Sequence, residues 1–338
     1  MEEKKLKLSI VILSWNTKAL LKQCLKSLEE GCGGVKGCEV IVVDNGSTDG
    51  SVEYLRSITG IKSIKGITSM KLVENQSNLG FAKGNNIGIK QARGKYIMLL
   101  NSDTIVEKGS MAKLVNYLDQ HSEVAAVSPL LLNEDGSYQK DPCYLKSPSL
   151  LFVFLYYNPI TRKIVSKFLP HLLYSSADFT KPSLIELVSG AAVMLRKEIL
   201  EKVGGLDEDY PHFFEDVDLS YQLRKLGFRL VLIPEAKVIH LGGRSLQPKI
   251  KKEGKDEFYF LNFYGLFLFF RKNYSSFKTF LVKTIVFSQM IITGKFSLIR
   301  RLWNKLPRAK VRGIPQADKF VSRLHPRDKS RGIIARNK

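Results

Sequence analysis

The sequence predicts an α/β fold, one domain on a mainly parallel central sheet followed by a helical C-terminal extension. Three observations predict it. Short, continuously apolar runs recur, separated by segments of helical periodicity, which is the pattern of strands buried on both faces. Three of those runs end abruptly in small polar residues. After residue 257 the pattern changes to long aromatic stretches interrupted by Lys and Arg. With 338 residues, 44% hydrophobic and 25% charged, the chain can bury a sizeable core. It shows no fixed-period repeat, which excludes solenoids and wholly disordered chains.

Leu8 to Leu13 (LSIVIL) reads as the first buried strand. Lys18 to Leu28 follows as a helix, because Leu20, Leu21, Cys24, Leu25 and Leu28 recur at three- and four-residue intervals. Val40 to Val43 is the next strand, so the chain opens with a strand, helix, strand unit. A third unit spans residues 71 to 104. In it a strand (Lys71 to Val73) enters a loop rich in Gly and Asn, a helix runs over about Gly84 to Ala92, and Arg93-Gly94 leads into the apolar strand Tyr96 to Leu100. In such sheets ligands sit beyond the carboxyl ends of the strands. Ser14-Trp15-Asn16, Asp44-Asn45-Gly46-Ser47 and Asn101-Ser102-Asp103 all fall at that edge. Each alone is ordinary turn chemistry; three on one edge imply side chains converging on a ligand.

FFEDVDLSYQLRKLG predicts a helix starting near Glu215 or Asp216 and stopped by Gly227. Dipole and capping favour acids at such a start. Because two residues turn about 200°, Asp216 and Asp218 face opposite sides.

Residues 149 to 157 and 258 to 270 are aromatic and apolar, but charges interrupt them before the roughly 18 residues that a bilayer requires. Basic residues (Arg271, Lys272, Lys278, Lys283, Lys295, Arg300, Arg301) interleave the helical region that runs to Trp303, which suits a helix lying in a membrane interface. The competing placement is a helix docked on the preceding α/β domain. From Arg300 to Lys338 thirteen Lys or Arg face two Asp, about half of the net charge of +21, so this tail seeks an anionic surface. The start Met1-Glu2-Glu3-Lys4-Lys5 and the short apolar run after it do not make a secretory signal. Cys24, Cys32, Cys38 and Cys143 lack metal or disulfide spacing and read as reduced structural thiols.

The blocks SIVILSWN, VVDNGSTDGS, NLGFAKGNNIGI and YIMLLNSDT, in this order and spacing, resemble the nucleotide-sugar-binding half of family 2 glycosyltransferases. Residues 188 to 245, from VSGAAVMLRKEILEKVGGLDEDYPHFFEDVDL to VIHLGGRS, resemble the acceptor half of its rhamnosyltransferase-like members. The resemblance covers about 240 residues in at least six ordered blocks. It implies a GT-A type domain over residues 1-245, with a Rossmann-like nucleotide-sugar half at about 1-104 and an acceptor half at 105-245. An aromatic helical membrane-association region at 246-303 and a basic tail at 304-338 would follow.

The resemblance also implies roles. Asp44 accepts from the base or ribose of the donor and Trp15 contacts the base. Ser14, Asn16, Asn45, Ser47, Asn78, Gly80, Asn85, Asn101 and Ser102 complete the donor surface, with Lys83 near the phosphates. Ser189, Gly190 and Ala191 meet the acceptor. Asp103 ends a metal-binding Asp-x-Asp motif whose first carboxylate is here Asn101, and His240 matches a metal-ligating histidine. The implied cofactor is Mg²⁺ or Mn²⁺, neutralising the departing diphosphate. Within the Glu-Asp motif Asp216 takes the acceptor proton, Glu215 orients the acceptor and Asp218 is structural. A single base without a nucleophile fits inversion.

The expected function is an inverting hexosyltransferase of cell-envelope polysaccharide biosynthesis. It would move a sugar from a nucleotide-diphosphate donor, dTDP-rhamnose ahead of UDP-hexoses, to a hydroxyl of a lipid-linked or cell-surface glycan. Its expected place is the cytoplasm, on the anionic inner face of the cell membrane. A non-catalytic nucleotide-sugar-binding protein leaves the acceptor block unused. A nucleic-acid-binding protein explains the tail but neither the edge clusters nor Asp216, so no specific nucleic acid partner is expected. Oligomeric state is not legible.

Overall fold

The structure, a computed structural model, describes residues 6–59, 66–139, 145–246 and 254–305. Cys143 and all but the first residues of the basic tail lie outside the described residues.

The first half runs β1 (Leu8–Ser14), α1 (Lys18–Gly31), β2 (Cys38–Asp44), α2 (Ser51–Thr59), β3 (Ser69–Glu74), α3 (Phe81–Gln91) and β4 (Tyr96–Asn101). These four strands are parallel, with Ser14 in register with Asp44 and Leu13 with Asn101. β1 and β2 bury nearly every residue, as continuous apolar strands between helices must. The helix predicted from Gly84 begins three residues earlier, at Phe81. Gly84 and Gly88 lie inside it, where a Cβ would stand 2.4 Å from Leu13 and from Val11 respectively. Those glycines serve the close approach of α3 to β1.

The second half adds β5 (Thr104–Val106), α4 (Ser110–Gln120), β6 (Val124–Leu132), α5 (Leu150–Tyr157), α6 (Pro159–Phe168), β7 (Ser183–Leu184), β8 (Ala192–Arg196), α7 (Lys197–Lys202), α8 (Glu215–Lys225) and β9 (Arg229–His240). The sheet order is β3-β2-β1-β4-β8-β6-β9-β5, with β7 on β9. β1, β2, β3, β4, β6 and β9 share one direction; β5, β7 and β8 oppose it. This mixture positions the site. Because β8 runs against β4, its start lies where β4 ends, and the Asn101 N–H donates to Ala191 O at 2.9 Å. The end of β9, His240, arrives at the same edge.

Three further helices follow, α9 (Lys255–Asn273), α10 (Ser276–Ile292) and α11 (Phe296–Asn304). Among the described residues no helix is long and apolar enough to cross a membrane. In the middle of α9, Leu266 to Phe270 are buried to 1% exposure or less on every side of the helix, which marks an interior element. They share a core with Tyr210 and Phe214 of the preceding domain. Lys272, buried, bonds Asp207 and Asp209 at 2.6 Å each, and the Asn273 amide donates to Asp218 at 2.8 Å. Of the two placements open to the aromatic helix, α9 takes the docked one, so a boundary at 245 divides the chain but not the packing. Cys24, Cys32 and Cys38 are buried free thiols, with Sγ of Cys32 and Cys38 3.4 Å apart.

Candidate active site

The carboxyl edge of the sheet is tied together before any ligand arrives. Asp44, fully buried, accepts from the Ser47 amide (2.7 Å) and hydroxyl (2.6 Å). Ser47 in turn accepts from the Asn16 amide, whose side chain accepts from Thr48 N–H. Asn45 donates to Asn78 and to Gly80 O and accepts from Asn75. Ser14 bonds Thr17, which donates to Ser102.

A cleft of about 450 Å³ lies over this network. Trp15, Asn45, Asn78, Gly80, Asn101 and Ser102 line one side of it; Ser189, Gly190, Ala191, Glu215, Asp216 and His240 line the other. Ser14, Asn16, Asp44, Ser47, Asn85 and Asp103 do not line it; of these Ser14, Asp44, Asn85 and Asp103 are buried. Asn85 bonds Phe81 O within its own helix. Lys83 is exposed on the first turn of α3 and does not line the cleft.

At one end Asp103 and His240 face each other. The Ser245 amide donates to Asp103 Oδ2 at 2.9 Å, while Oδ1 stands 3.6 Å from His240 Nε2. His240 Nδ1 lies 2.7 Å from the Gln139 side-chain carbonyl oxygen, which can only accept, so Nδ1 carries a proton and, when the ring is neutral, Nε2 presents a lone pair. Asp103 Oδ1 and His240 Nε2 are both buried without a hydrogen-bond partner. Two acceptors thus confront each other across a gap that asks for a cation. Burial pushes the Asp103 carboxyl up, but His240, when its ring is protonated, and the Ser245 amide outweigh it and hold it below the usual range. Among the described residues no cluster of three or more His, Cys, Asp or Glu forms a metal site, so a cation here would lean on this pair and on ligand oxygens. Gln139 carries no sequence motif. Only the Asn133-to-Ser137 turn after β6, which sends the chain back along its own strand, announced its return to the edge.

At the other end α8 begins after a strained turn. Phe213 and Phe214 have φ of 66° and 71°, a left-handed conformation costly for bulky residues. Gly265 of α9 supports it, for a Cβ there would meet Phe214 at 2.9 Å and Phe213 O at 3.1 Å. The turn aims Asp216 at the start of β8, where Gly190 N–H donates to Oδ2 at 2.9 Å, and Val217 N–H donates to Oδ1 at 2.8 Å. Asp218 points the opposite way, to Tyr210, Gln222 and Asn273. Burial raises the Asp216 carboxyl above its ordinary value despite those amides. Glu215 is pushed up to about 8, first by burial and then by the neighbouring Asp216 charge, and its Oε2 has no partner.

The glycosyl transferase family 2 profile matches residues 9–204. The chain belongs to this family. Among curated relatives, the N-acetylglucosaminyl-diphospho-decaprenol L-rhamnosyltransferase of Mycobacterium tuberculosis is 25% identical over 249 residues, covering 69% of this chain and 75% of its own. The dTDP-rhamnosyl transferase RfbF of Shigella flexneri is 27% identical over 218 residues, 63% of each chain. Two solved structures share the fold. The mannosyltransferase PcManGT of Pyrobaculum calidifontis, in complex with GDP-Man and Mn²⁺, superposes with TM-score 0.53 at 15% identity over 94% of this chain and 79% of its own. Staphylococcus aureus TarS 1-349 with UDP superposes at 0.50 and 16% identity over 90% and 76%. The protein is therefore a rhamnosyltransferase-like glycosyltransferase of GT-A fold that uses a nucleotide-sugar donor. A second and larger cavity of this glycosyltransferase, about 820 Å³, shares Ser189, Phe213, Glu215, Asp216 and Phe258 with the first cleft.

Proposed function

We propose that this enzyme transfers a sugar, L-rhamnose from dTDP-rhamnose, to a hydroxyl of a lipid-linked glycan with inversion. One observation carries the reading: Asp216 stands on the wall common to two cavities, one floored by the strand-edge network and the other open on the far side. A base between donor and acceptor belongs there. Its two amide bonds leave a lone pair on each oxygen, and its raised proton affinity suits a base at neutral pH. The acceptor hydroxyl gives its proton to Asp216 as its oxygen attacks the anomeric carbon. The bond from that carbon to the diphosphate oxygen breaks, and the electron pair leaves with the nucleoside diphosphate. Glu215 orients the acceptor beside it.

Asp103 and His240 would hold Mg²⁺ or Mn²⁺, which when bound supplies counter-charge to the diphosphate. Their unpartnered, mutually facing acceptor atoms support this. The rhamnosyl transfer named for the mycobacterial and Shigella relatives supports the sugar, dTDP-rhamnosyl in the name of the latter supports the donor, and the diphospho-decaprenol named for the former supports the acceptor class. Asp44 and the asparagines around it act on the nucleotide by fixing the cleft floor, with Trp15 beside the base.

The test is a donor panel read by released nucleoside diphosphate. We expect dTDP-rhamnose to be turned over fastest, with activity lost in chelator and restored by Mg²⁺ or Mn²⁺. No release from any sugar nucleotide would end the transfer reading.

Membrane contact is the second part of the proposal. It rests on the outward apolar side chains Phe277 and Phe280 of α10 and Phe296 and Trp303 of α11, which are 63–68% exposed amid basic residues. The protein should float with anionic vesicles, lose that binding in high salt, and lose most of it on Phe280→Ser with Trp303→Ser. Equal flotation of the double variant would move the contact elsewhere.

A further inference from the structure

A base at Asp216 faces a competing reaction. The carboxylate that takes a proton from an acceptor hydroxyl can take one from water, and water is far more concentrated than any acceptor. The water oxygen would attack the anomeric carbon and its proton would pass to Asp216. The bond from that carbon to the diphosphate oxygen would break with its electron pair on the nucleoside diphosphate. The products would be a free sugar and a spent donor. What stands around the carboxylate therefore decides between transfer and hydrolysis.

The two cavities share five described residues, and their chemistry is uneven. Glu215 and Asp216 are the acids and Ser189 is small; the other two are phenylalanines, Phe213 and Phe258. Their rings meet edge to face, with centroids 4.9 Å apart and planes at 72°. A third ring, Phe81, comes to the base from the first cleft. A Cβ added to Gly190 would stand 3.2 Å from Phe81 Cζ and 3.5 Å from Asp216 Oδ2, so ring tip and carboxylate oxygen converge on one glycine.

Core burial does not account for the two shared rings. Phe213 and Phe214 both take the left-handed conformation, yet Phe214 is buried while Phe213 is only half-buried. Two bulky residues at positive φ are a strained way to make a turn that Gly or Asn would make freely. Its result is to send Phe214 into the core and Phe213 to the junction of the cavities. There the Phe213 ring is held edge-on between His212, at 4.2 Å, and Phe258. Phe258, on the first turn of α9, is 37% exposed. It packs edge to face on Phe213 and on Tyr259, which also lines the larger cavity.

We propose that Phe213 and Phe258 form a water barrier where the two cavities meet, and that Phe258 is the side chain that sets transfer against hydrolysis. An acceptor seated in the larger cavity brings its own hydroxyl past the rings to Asp216. Without one, the rings leave a water at the junction too few polar partners to be held in line with the anomeric carbon. The C-terminal helices thereby enter the chemistry through α9. The assignment rests on the reading of Asp216 as the transfer base and adds to it the side chain that keeps water from that base.

The experiment uses the full-length protein with Mg²⁺ and no acceptor. It supplies dTDP-rhamnose, UDP-glucose, UDP-N-acetylglucosamine or GDP-mannose and follows free sugar by proton NMR. Phe258→Ala should hydrolyse at least one of these donors about tenfold faster than wild type. Phe258→Leu, which keeps apolar bulk, should bring the rate back toward wild type. Misfolding cannot mimic a gain that a conservative replacement reverses. Phe213 is left unaltered because its strained turn also aims Asp216. Adding Asp216→Asn to Phe258→Ala separates the two readings: loss of the gained hydrolysis supports both, whereas a gain that survives keeps the barrier and removes Asp216 as the base. Hydrolysis by Phe258→Ala no faster than wild type with every donor would overturn the barrier and leave the transfer reading standing.

Discussion

The two cavities that meet at Asp216 are built by opposite means. The donor-side cleft rests on a parallel sheet, and its polar groups are short and already bonded to one another: Asp44 to Ser47, Asn45 to Asn75 and Asn78, Asn16 to Thr48. Such a surface is preorganised and changes little when a ligand arrives. The other cavity is walled by helices from three distant stretches of chain, α5 and α6, the turn before α8, and α9 with its successors. Its contacts are ring faces and long cations, which adapt their shape. The difference teaches where each kind of recognition belongs. Under the proposed function, the constant chemistry of a nucleotide would suit the rigid sheet edge, and acceptors of differing size the wall made of helices.

The largest effect should come from a group that both cavities share, the proposed base Asp216. Asp216→Asn keeps the shape and the Gly190 contact geometry but removes the proton acceptor, so turnover should fall by about 10²–10⁴ while donor affinity stays near wild type. Asp44→Ala should do the reverse, loosening the Ser47 loop and weakening nucleotide binding first. Near wild-type turnover in Asp216→Asn would dissolve the idea that the base lies on the common wall.

Next in size is a substitution that touches only the helical side. In Gly265→Leu the side chain must enter the space of Phe214 and Phe213 O, and overpacking of this kind costs roughly 1–3 kcal/mol. Because that turn aims Asp216, we expect a lower unfolding midpoint and a loss of turnover larger than the loss of nucleotide affinity. Equal losses of nucleotide binding and turnover would mean that the two halves are not mechanically separable.

How much of this was legible in the sequence follows from what kind of contact each feature depends on. β1, β2 and β4 could be read because continuous apolar runs and their polar ends are local patterns, and a parallel sheet then puts those ends on one edge. The helix that opens at Glu215 could be read because an acid cluster precedes its apolar positions, whereas the role of Asp216 came from the resemblance alone. Gln139 could not, since its contact with His240 joins residues 101 apart through a turn whose outcome no local pattern specifies. The burial of α9 was ambiguous for a physical reason: a helix apolar all round suits a protein interior as well as a lipid surface. Only tertiary partners such as Asp207, Asp209 and Asp218 for Lys272 and Asn273 decide it. The left-handed Phe213 and Phe214 likewise defy local preference, and they stand next to the acids on the common wall.

The smallest effect expected concerns Glu215, which sits on that wall without a partner for Oε2. Its carboxyl is pushed up to about 8 by burial and by Asp216. In the unfolded chain it returns to the ordinary carboxylate range, near 4.3. Between those two values the folded protein holds a proton that the unfolded chain has released, so stability must fall as pH rises. The contribution is fully present below the unfolded value and is lost as pH passes through about 8. Glu215→Gln replaces the protonated carboxyl with a neutral group of the same shape that cannot ionise. The unfolding midpoint of the variant should therefore decline less than that of wild type between pH 5 and pH 9. Differential scanning fluorimetry across that range measures it. Asp216→Asn provides the cross-check, because deleting the neighbouring charge should bring the Glu215 transition to lower pH. Parallel curves for wild type and Glu215→Gln would mean that the carboxylate is ionised in the free protein, and that the common wall carries two negative charges before the acceptor arrives.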